Sequence, residues 1–423
     1  MNVDALKNFC QNNGPLYIYG AGSYGRIIKA CLENFDINVT AFVVTNKDGQ
    51  SNQVMGIPIL ELDEVMKDVN FVIGVGRIYE KEIIHKLASF GATHYFILPD
   101  GLTDEICRNI PFKMPCSIKK NFANILLYHR VTKRGFDPWN LKVTPEHFEE
   151  HIRYLKNHYR VMRFEDDWSD VCEPFVVITF DDGYLDNYEV VLPILEKYHV
   201  PATIFVSTGY VSSQKLFWWD WLERMVLQSK LFPSSIKTKT AKSILHHMES
   251  DNKLLSLNNI RDALKLLLPS QRESIMQELR ENLHDVDFEC GLDRAVTKDE
   301  LKKLADSPWI TIGGHTVTHS MLSVESEEMQ RWEFTESKQQ LEEIISRSVT
   351  VMSYPFGSRK DVSDFTPRIA KECGYDKAAV NWQGTANQNT NSFLLPRNPQ
   401  QDCDVDEFSR MLCGTWYMYG DET

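Results

Sequence analysis

No apolar run in this sequence approaches the roughly 20 residues that a helix needs to cross a bilayer, which excludes a helical membrane span. Cysteine is sparse and unpaired: nine residues are scattered singly from Cys10 to Cys413, with no Cys-x-x-Cys pair. An odd, dispersed set fits reduced thiols in a reducing compartment better than a disulfide framework. Cys172 and Cys290 have no partners at ligand spacing and read as buried thiols. Basic residues are in deficit, 46 Lys and Arg against 59 Asp and Glu, a formal charge of -13. That argues against a nucleic-acid surface, where a basic stripe would displace counterions, and points to small or neutral partners. The first residues lack the basic start and apolar stretch of a secretory signal and read as an amphipathic helix, so the expectation is a cytoplasmic protein. No repeat or low-complexity tract is visible, and nothing in the pattern speaks to oligomeric state.

What is present is a globular composition, 43% apolar and 25% charged, on a chain of 423 residues, long enough for two domains. The first hundred residues alternate β-rich runs at 16–19, 39–44, 71–75 and 95–98 with helical stretches at 23–34 and 79–90, which predicts a small parallel α/β sheet. Residues 101–121 dissolve into Pro, Gly, Lys and Asp and read as a linker. From 122 onward, apolar runs at 125–128, 175–180, 202–206, 309–312 and 349–354 with helices between them predict a closed or nearly closed β/α barrel. Strand signals vanish from about 217 to 299, where helical periodicity marks an insertion into the barrel domain of 122–423.

Two clusters carry chemistry. The run 175–180 leads directly into Asp181-Asp182-Gly183-Tyr184, placing adjacent carboxylates at the C-terminal end of a barrel strand. One could bind a metal while its neighbour takes a proton, although Asp-Asp-Gly is also ordinary turn chemistry. The second cluster, Gly313-Gly314-His315-Thr316-Val317-Thr318-His319, follows another strand, and a helical turn would put both imidazoles on one face. Two histidines and a carboxylate leave open coordination positions, as a hydrolytic metal requires.

These residues resemble the motifs of the polysaccharide deacetylase (NodB-homology) family. Thr179-Phe180-Asp181-Asp182-Gly183-Tyr184 is similar to its first motif, His315-Thr316-Val317-Thr318-His319 to its second and Ser353-Tyr354-Pro355-Phe356-Gly357 to its third. The resemblance covers about residues 122–400, and Phe217-Trp218-Trp219-Asp220 is similar to the opening of a helical insertion found in some members. It implies that Asp182, His315 and His319 bind a divalent metal, usually zinc, and that Asp181 is the general base. The backbone N–H of Phe356 would stabilise the oxyanion.

The sequence departs from the family pattern in two places. Ser353 stands where many members have an arginine that orients the base, and no histidine follows His319 to act as general acid. A subgroup draws its acid from an early Tyr-His segment, which Leu127-Tyr128-His129-Arg130-Val131 resembles, so His129 is either that acid or a histidine satisfying a strand end. Arg397 is either the missing guanidinium, on a late strand returning beside the first, or an ordinary surface arginine. The tryptophans at 218, 219 and 221 either stack on sugar or pin the insertion to the barrel.

In the first domain, Tyr19-Gly20-Ala21-Gly22-Ser23-Tyr24-Gly25 follows a strand and opens a helix, the context in which G-x-G-x-x-G can cradle a phosphate. No acid stands in Val43-Val44-Thr45-Asn46 where a dinucleotide site wants one, and Asp48 lies beyond it. The segment resembles the Rossmann-like N-terminal domain of sugar acyltransferases, which implies a nucleotide-sugar site at Gly20, Gly22 and Gly25. Glycines kept for tight packing are the alternative. Together the resemblances imply a cytoplasmic, zinc-dependent enzyme that removes the N-acetyl group from a nucleotide- or lipid-linked amino sugar during synthesis of a surface polysaccharide or glycoconjugate. The alternatives are an amidohydrolase or deformylase acting on another amide, and a non-catalytic nucleotide-sugar binder with an inactive barrel.

Overall fold

The computed structural model describes residues 2–11, 14–47, 52–66, 69–75, 77–99, 102, 106, 122–133, 135–213, 215–228, 253–282, 286 and 289–419. Asp48 and nearly all of the linker expected at 101–121 fall outside them. The chain divides into two compact units, one of Met1–Asn124, Asp170–Pro174 and Cys403–Thr423, the other of Ile125–Ser169 and Phe175–Asp402. Among the described residues no helix is long and apolar enough to cross a membrane.

The first unit holds α1 (Asn2–Cys10), β1 (Leu16–Tyr19), α2 (Ser23–Glu33), β2 (Ala41–Val44), β3 (Gln53–Val54), β4 (Ile57–Glu61), β5 (Asn70–Ile73), α3 (Arg77–Phe90) and β6 (His94–Ile97). The sheet runs β3-β4-β2-β1-β5-β6. β1 pairs parallel with β2 and β5, and both β1 and β2 are fully buried, which is why they read as unbroken apolar runs. The all-parallel, four-strand expectation needs correcting, because β3 and β4 add an antiparallel pair and make the sheet mixed. β3 is only two residues long, and β4 contains Pro58 and is mostly half-exposed, so neither carries the apolar signal of a central strand. The C-terminal helix Val405–Tyr419 packs on α2 in this unit.

At the β1–α2 turn the backbones nearly touch. A Cβ on Gly25 would sit 1.9 Å from the Gly20 carbonyl oxygen, and one on Gly74 would sit 2.7 Å from the Gly25 Cα. Gly22, by contrast, has open space around its missing side chain.

The second unit holds the barrel strands β7 (Ala123–Tyr128, from Ile125 on), β10 (Arg160–Met162), β11 (Phe175–Phe180), β12 (Ala202–Val206), β13 (Ile310–Gly314), β14 (Val351–Ser353), β15 (Lys377–Ala379) and β16 (Asn398–Pro399). A separate ladder joins β8 (Arg130–Val131) to β9 (Lys142–Val143). The sheet order is β15-β14-β13-β12-β11-β7-β16, with β10 also beside β11. An isolated parallel bridge from Ala379 to Leu395 brings the chain ahead of β16 back to β15, so the sheet curls into an incompletely closed parallel barrel. Parallel pairing puts the C-terminal ends of the strands on one rim, where Asp181, His315 and Tyr354 leave β11, β13 and β14.

The helices of this unit are α4 (Pro145–His158), α5 (Leu192–Tyr198), α6 (Trp218–Gln228), α7 (Lys253–Lys265), α8 (Pro269–Asn282), α9 (Lys298–Asp306), α10 (Glu327–Ile345) and α11 (Thr366–Glu372). α6, α7 and α8 form the insertion expected at 217–299 and share an apolar cluster with Trp218, Trp221, Leu257, Ile260 and Leu279 at its centre. Cys290 is buried as expected, but Cys172 is exposed, because it falls in the polar connection between β10 and β11 and not in a strand.

The β1–α2 turn generates one prediction. Gly25→Ala should destabilise the full chain by about 3 kcal/mol, because the added methyl meets backbone that cannot yield. Gly22→Ala should stay within about 0.5 kcal/mol in the absence of ligand. Urea unfolding followed by circular dichroism distinguishes them, and equal losses would contradict the packing account.

Candidate active site

The two adjacent carboxylates diverge because the backbone reverses between them. Asp181 stays in register, its N–H donating to Tyr128 O at 3.1 Å, whereas Asp182 and Gly183 turn into the left-handed region at φ +75° and +79°. A Cβ at Gly183 would crowd Val206 at 3.0 Å, so the third residue of the motif has two reasons to be glycine.

Asp181 is buried and fully claimed. Arg397 Nη1 donates to its Oδ1 and Nη2 to its Oδ2, both at 2.7 Å, and the Ser353 hydroxyl donates to Oδ1 at 3.0 Å. The guanidinium is itself fully buried and anchored through Nε to Val380 O at 3.0 Å. Burial pushes the Asp181 pKa up, but the Arg397 charge, followed by His315, outweighs it and holds the carboxyl well below the usual range. Asp181 is therefore ionised throughout the neutral region.

Asp182 faces the imidazoles. Its Oδ1 lies 3.6 Å from His315 Nε2 and 3.3 Å from His319 Nε2, and one ligand atom from each of the three residues falls within 4.8 Å of the others. That oxygen is buried and accepts no hydrogen bond. Burial raises the Asp182 pKa, lowers that of His315 and pushes His319 down to about 3. Neutral imidazoles and a buried carboxylate without a donor form a donor set that suits a divalent cation, so the residues fit the metal the motifs imply.

His315 is oriented for that role. Its Nδ1 lies 2.9 Å from Ser353 O and 2.7 Å from Ser353 Oγ; with the proton on Nδ1 the Nε2 lone pair faces Asp182. The helical turn expected for 315–319 does not form. Thr316 and His319 adopt φ of +62° and +52°, and Thr316 Oγ1 accepts the His319 N–H at 3.1 Å. Glu333, fully buried on α10, holds this loop by accepting from the N–H groups of Val317 (2.7 Å) and Thr318 (3.0 Å) and from the Thr318 hydroxyl. Arg272 of α8 donates to Thr318 O at 3.1 Å. Four-residue spacing brought the imidazoles together through a clamped loop, not through helical geometry.

Around the donor set lies a cleft of about 340 Å³ whose lining includes His129, Asp181, Asp182, His315, His319 and Phe356. His129 is partly exposed there; burial lowers its pKa while Asp182 and Asp181 pull it up. Phe356 has φ +59°, and among the described residues its N–H has no hydrogen-bond partner. Trp218 and Trp219 line the cleft, whereas Trp221 is core, so the aromatic run divides between wall and packing. The Trp219 ring centroid is 4.4 Å from that of His319, and its Nε1 donates to Tyr184 Oη, which donates to Asp220 Oδ2 (2.7 and 2.8 Å). Gly20, Gly22 and Gly25 belong to the other unit.

Sequence reasoning missed Glu333, Arg272 and the contacts of Ser353. Ser353 was visible as an anomaly in the third motif, but nothing local marks Glu333 among the many acidic residues of α10.

A family model described as polysaccharide deacetylase matches residues 169–251 and 274–378, and one described as PglD N-terminal domain matches residues 15–87. YxkH of Bacillus subtilis (strain 168), named for the polysaccharide deacetylases, is 23% identical over 282 residues, 64% of this chain and 69% of that protein. The poly-beta-1,6-N-acetyl-D-glucosamine N-deacetylase of Staphylococcus aureus (strain MSSA476) is 29% identical over 153 residues, 32% of this chain. The match spans about half of that enzyme's length, 53%. Among solved structures, Streptococcus pyogenes deacetylase PplD is 19% identical with a TM-score of 0.44, covering 70% of this chain and 99% of that one. BC0361 of Bacillus cereus is 18% identical with a TM-score of 0.46, covering 70% and 69%.

The buried ion pair and the Asp220 network each make a prediction. Arg397→Met should cost about 3–5 kcal/mol in urea unfolding, because it leaves the Asp181 charge buried alone, and adding Asp181→Asn should recover much of the loss. Independent, additive losses would contradict the pairing. Burial pushes the Asp220 pKa up to about 7. The folded state thus binds this proton more tightly than the unfolded chain, where an aspartate titrates near about 3.9. The contribution is full below that value and lost as pH rises through 7. Asp220→Asn should flatten the fall in stability between about pH 4 and 7.

Proposed function

The chain combines a polysaccharide deacetylase domain with a PglD N-terminal domain, and we propose that it hydrolyses the N-acetyl group of an amino sugar carried on a nucleotide or a lipid, in the cytoplasm, during synthesis of a surface polysaccharide or glycoconjugate. The observation that carries this reading is the pairing of two adjacent carboxylates with opposite environments. Asp181 is locked and ionised by Arg397, and Asp182 is left with a bare oxygen facing two imidazoles.

In this reading Asp182, His315 and His319 hold a divalent cation, zinc by preference for the two imidazoles, which when bound polarises the amide carbonyl and lowers the pKa of water. Asp181 takes the proton of the attacking water, its carboxylate aimed by Arg397 and Ser353. The Phe356 N–H, which has no hydrogen-bond partner among the described residues, donates to the oxygen that gains charge in the tetrahedral state. His129, on the same rim, returns a proton to the leaving amine. Ser353 and Arg397 divide between them the work that one motif arginine does in the family, Ser353 reaching Asp181 and His315 together. The Gly20–Gly25 turn is in this reading a nucleotide-sugar site of its own unit: Gly25 is explained by packing, whereas Gly22 keeps open space beside the α2 N-terminus, as a nucleotide-sugar phosphate would need.

Zinc-loaded protein should release acetate from one member of a panel of acetamido sugars, and Asp181→Asn should lower that rate by at least about 10²-fold. His315→Ala should lower bound zinc below one equivalent. Equal acetate release by wild type and Asp181→Asn sinks the mechanism, formate release from an N-formyl sugar alone makes the enzyme a deformylase, and purified protein that never takes up stoichiometric zinc supports the non-catalytic binder.

A further inference from the structure

The insertion places partly exposed charge on the wall of the cleft. α7 presents Arg261 and Lys265, four residues apart, to the cleft that holds Asp181 and Asp182. Their situations differ. Lys265 Nζ lies 2.6 Å from Oδ1 of the buried Asp361 and 4.3 Å from the Phe356 ring centroid, so its charge is spent on the third-motif loop. Arg261 has only its chain neighbour Asp262 as an ion partner among the described residues, at 2.9 Å, and Asp262 is 65% exposed. Such an exposed pair contributes little and yields readily to a better partner. The Arg261 guanidinium stands 5.9 Å from the ring of Trp139, which also lines the cleft and is tied to the same helix by its Nε1 donating to Asn258 Oδ1 at 3.3 Å.

The remaining charges do not use this arginine. Asp181 is neutralised by Arg397, and the Asp182 charge faces the imidazoles. A chain of formal charge -13 therefore keeps a planar, half-buried cation in the lining of its reaction cleft with no buried ion partner among the described residues. A guanidinium beside an aromatic face suits a phosphate, which it can grip through two parallel N–H groups. The volume, about 340 Å³, is at the small end of ligand pockets and suits one sugar ring with its substituent at the mouth rather than a stretch of polymer.

We propose that Arg261 is a specificity-determining contact for a phosphate on the anomeric position of the sugar, so that the substrate is a glycosyl phosphate or diphosphate and not a neutral glycan. The proposal rests on the deacetylase reading and names the substrate class of that site. Nucleotide and lipid carriers share this chemistry.

The test compares zinc-loaded full-length wild type and Arg261→Gln on three N-acetylglucosamine derivatives: the uridine diphosphate, the farnesyl diphosphate and the neutral methyl glycoside. Wild type should favour at least one diphosphate over the neutral glycoside by tenfold or more in kcat/KM. Arg261→Gln should raise KM for that diphosphate about tenfold with kcat unchanged, leave the neutral glycoside unaffected, and be partly rescued by Arg261→Lys. The preferred diphosphate identifies the carrier. Equal handling of neutral and phosphorylated sugars, or an equal loss on both in the variant, overturns the proposal. Binding of N-acetylglucosamine 1-phosphate against N-acetylglucosamine, followed by tryptophan fluorescence, separates the two readings. A preference for the phosphate that collapses in Arg261→Gln, with no acetate released from any substrate, sinks the deacetylase reading alone, and equal affinities in wild type sink this one.

Discussion

The bidentate pair between Arg397 and Asp181 is the constraint on which the second unit turns. Both groups are buried at the rim of a curled parallel sheet, and an unpaired charge of either sign there would cost several kcal/mol. The pair spans the sequence from the exit of β11 to the approach of β16, so it forms only when the sheet has curled far enough to bring its ends together. Barrel closure therefore supplies the charge that keeps Asp181 ionised once it is buried. A carboxylate that burial alone would protonate is held as an anion by the strand that closes the sheet.

The neighbouring donor set obeys a second constraint, backbone strain held by buried polar anchors. Asp182, Thr316, His319 and Phe356 all adopt left-handed conformations, unfavourable for residues with a Cβ. Each is restrained by something rigid. Gly183 lets the Asp182 turn pass Val206, Glu333 accepts three hydrogen bonds from the histidine loop, and Phe356 lies under the Lys265 ammonium that Asp361 fixes. The insertion thereby supports both the third-motif loop and, through Arg272, the loop of the histidines.

Much of the fold was legible because parallel strands buried on both faces leave continuous apolar runs. β1, β11 and β12 have the bounds that their sequences predict. The strands that escaped are β3 and β4, at an edge where half-exposed residues and Pro58 erase the signal, and β8, β9, β10, β15 and β16, whose two or three residues are too short to show a period. At the candidate site the types and spacing of Asp181, Asp182, His315 and His319 were legible because each directly follows an apolar strand. The helical reading of the histidine spacing failed, since a loop clamped by a distant glutamate can bring i and i+4 together without helical dihedrals.

By itself the sequence determined the long apolar strands, the main helices and the chemical identities at the strand ends, because these depend on local periodicity and residue type. It left open what Ser353, Arg397 and the tryptophan run do. Only the tertiary structure decided that Arg397 grips Asp181 while Ser353 joins it to His315, that Trp219 packs against His319 while Trp221 is core, and that Arg261 lines the cleft. The physical reason is range. Strand periodicity is set by neighbours a few residues apart, whereas a buried charge finds its partner wherever the closing sheet delivers one, here 216 residues along the chain.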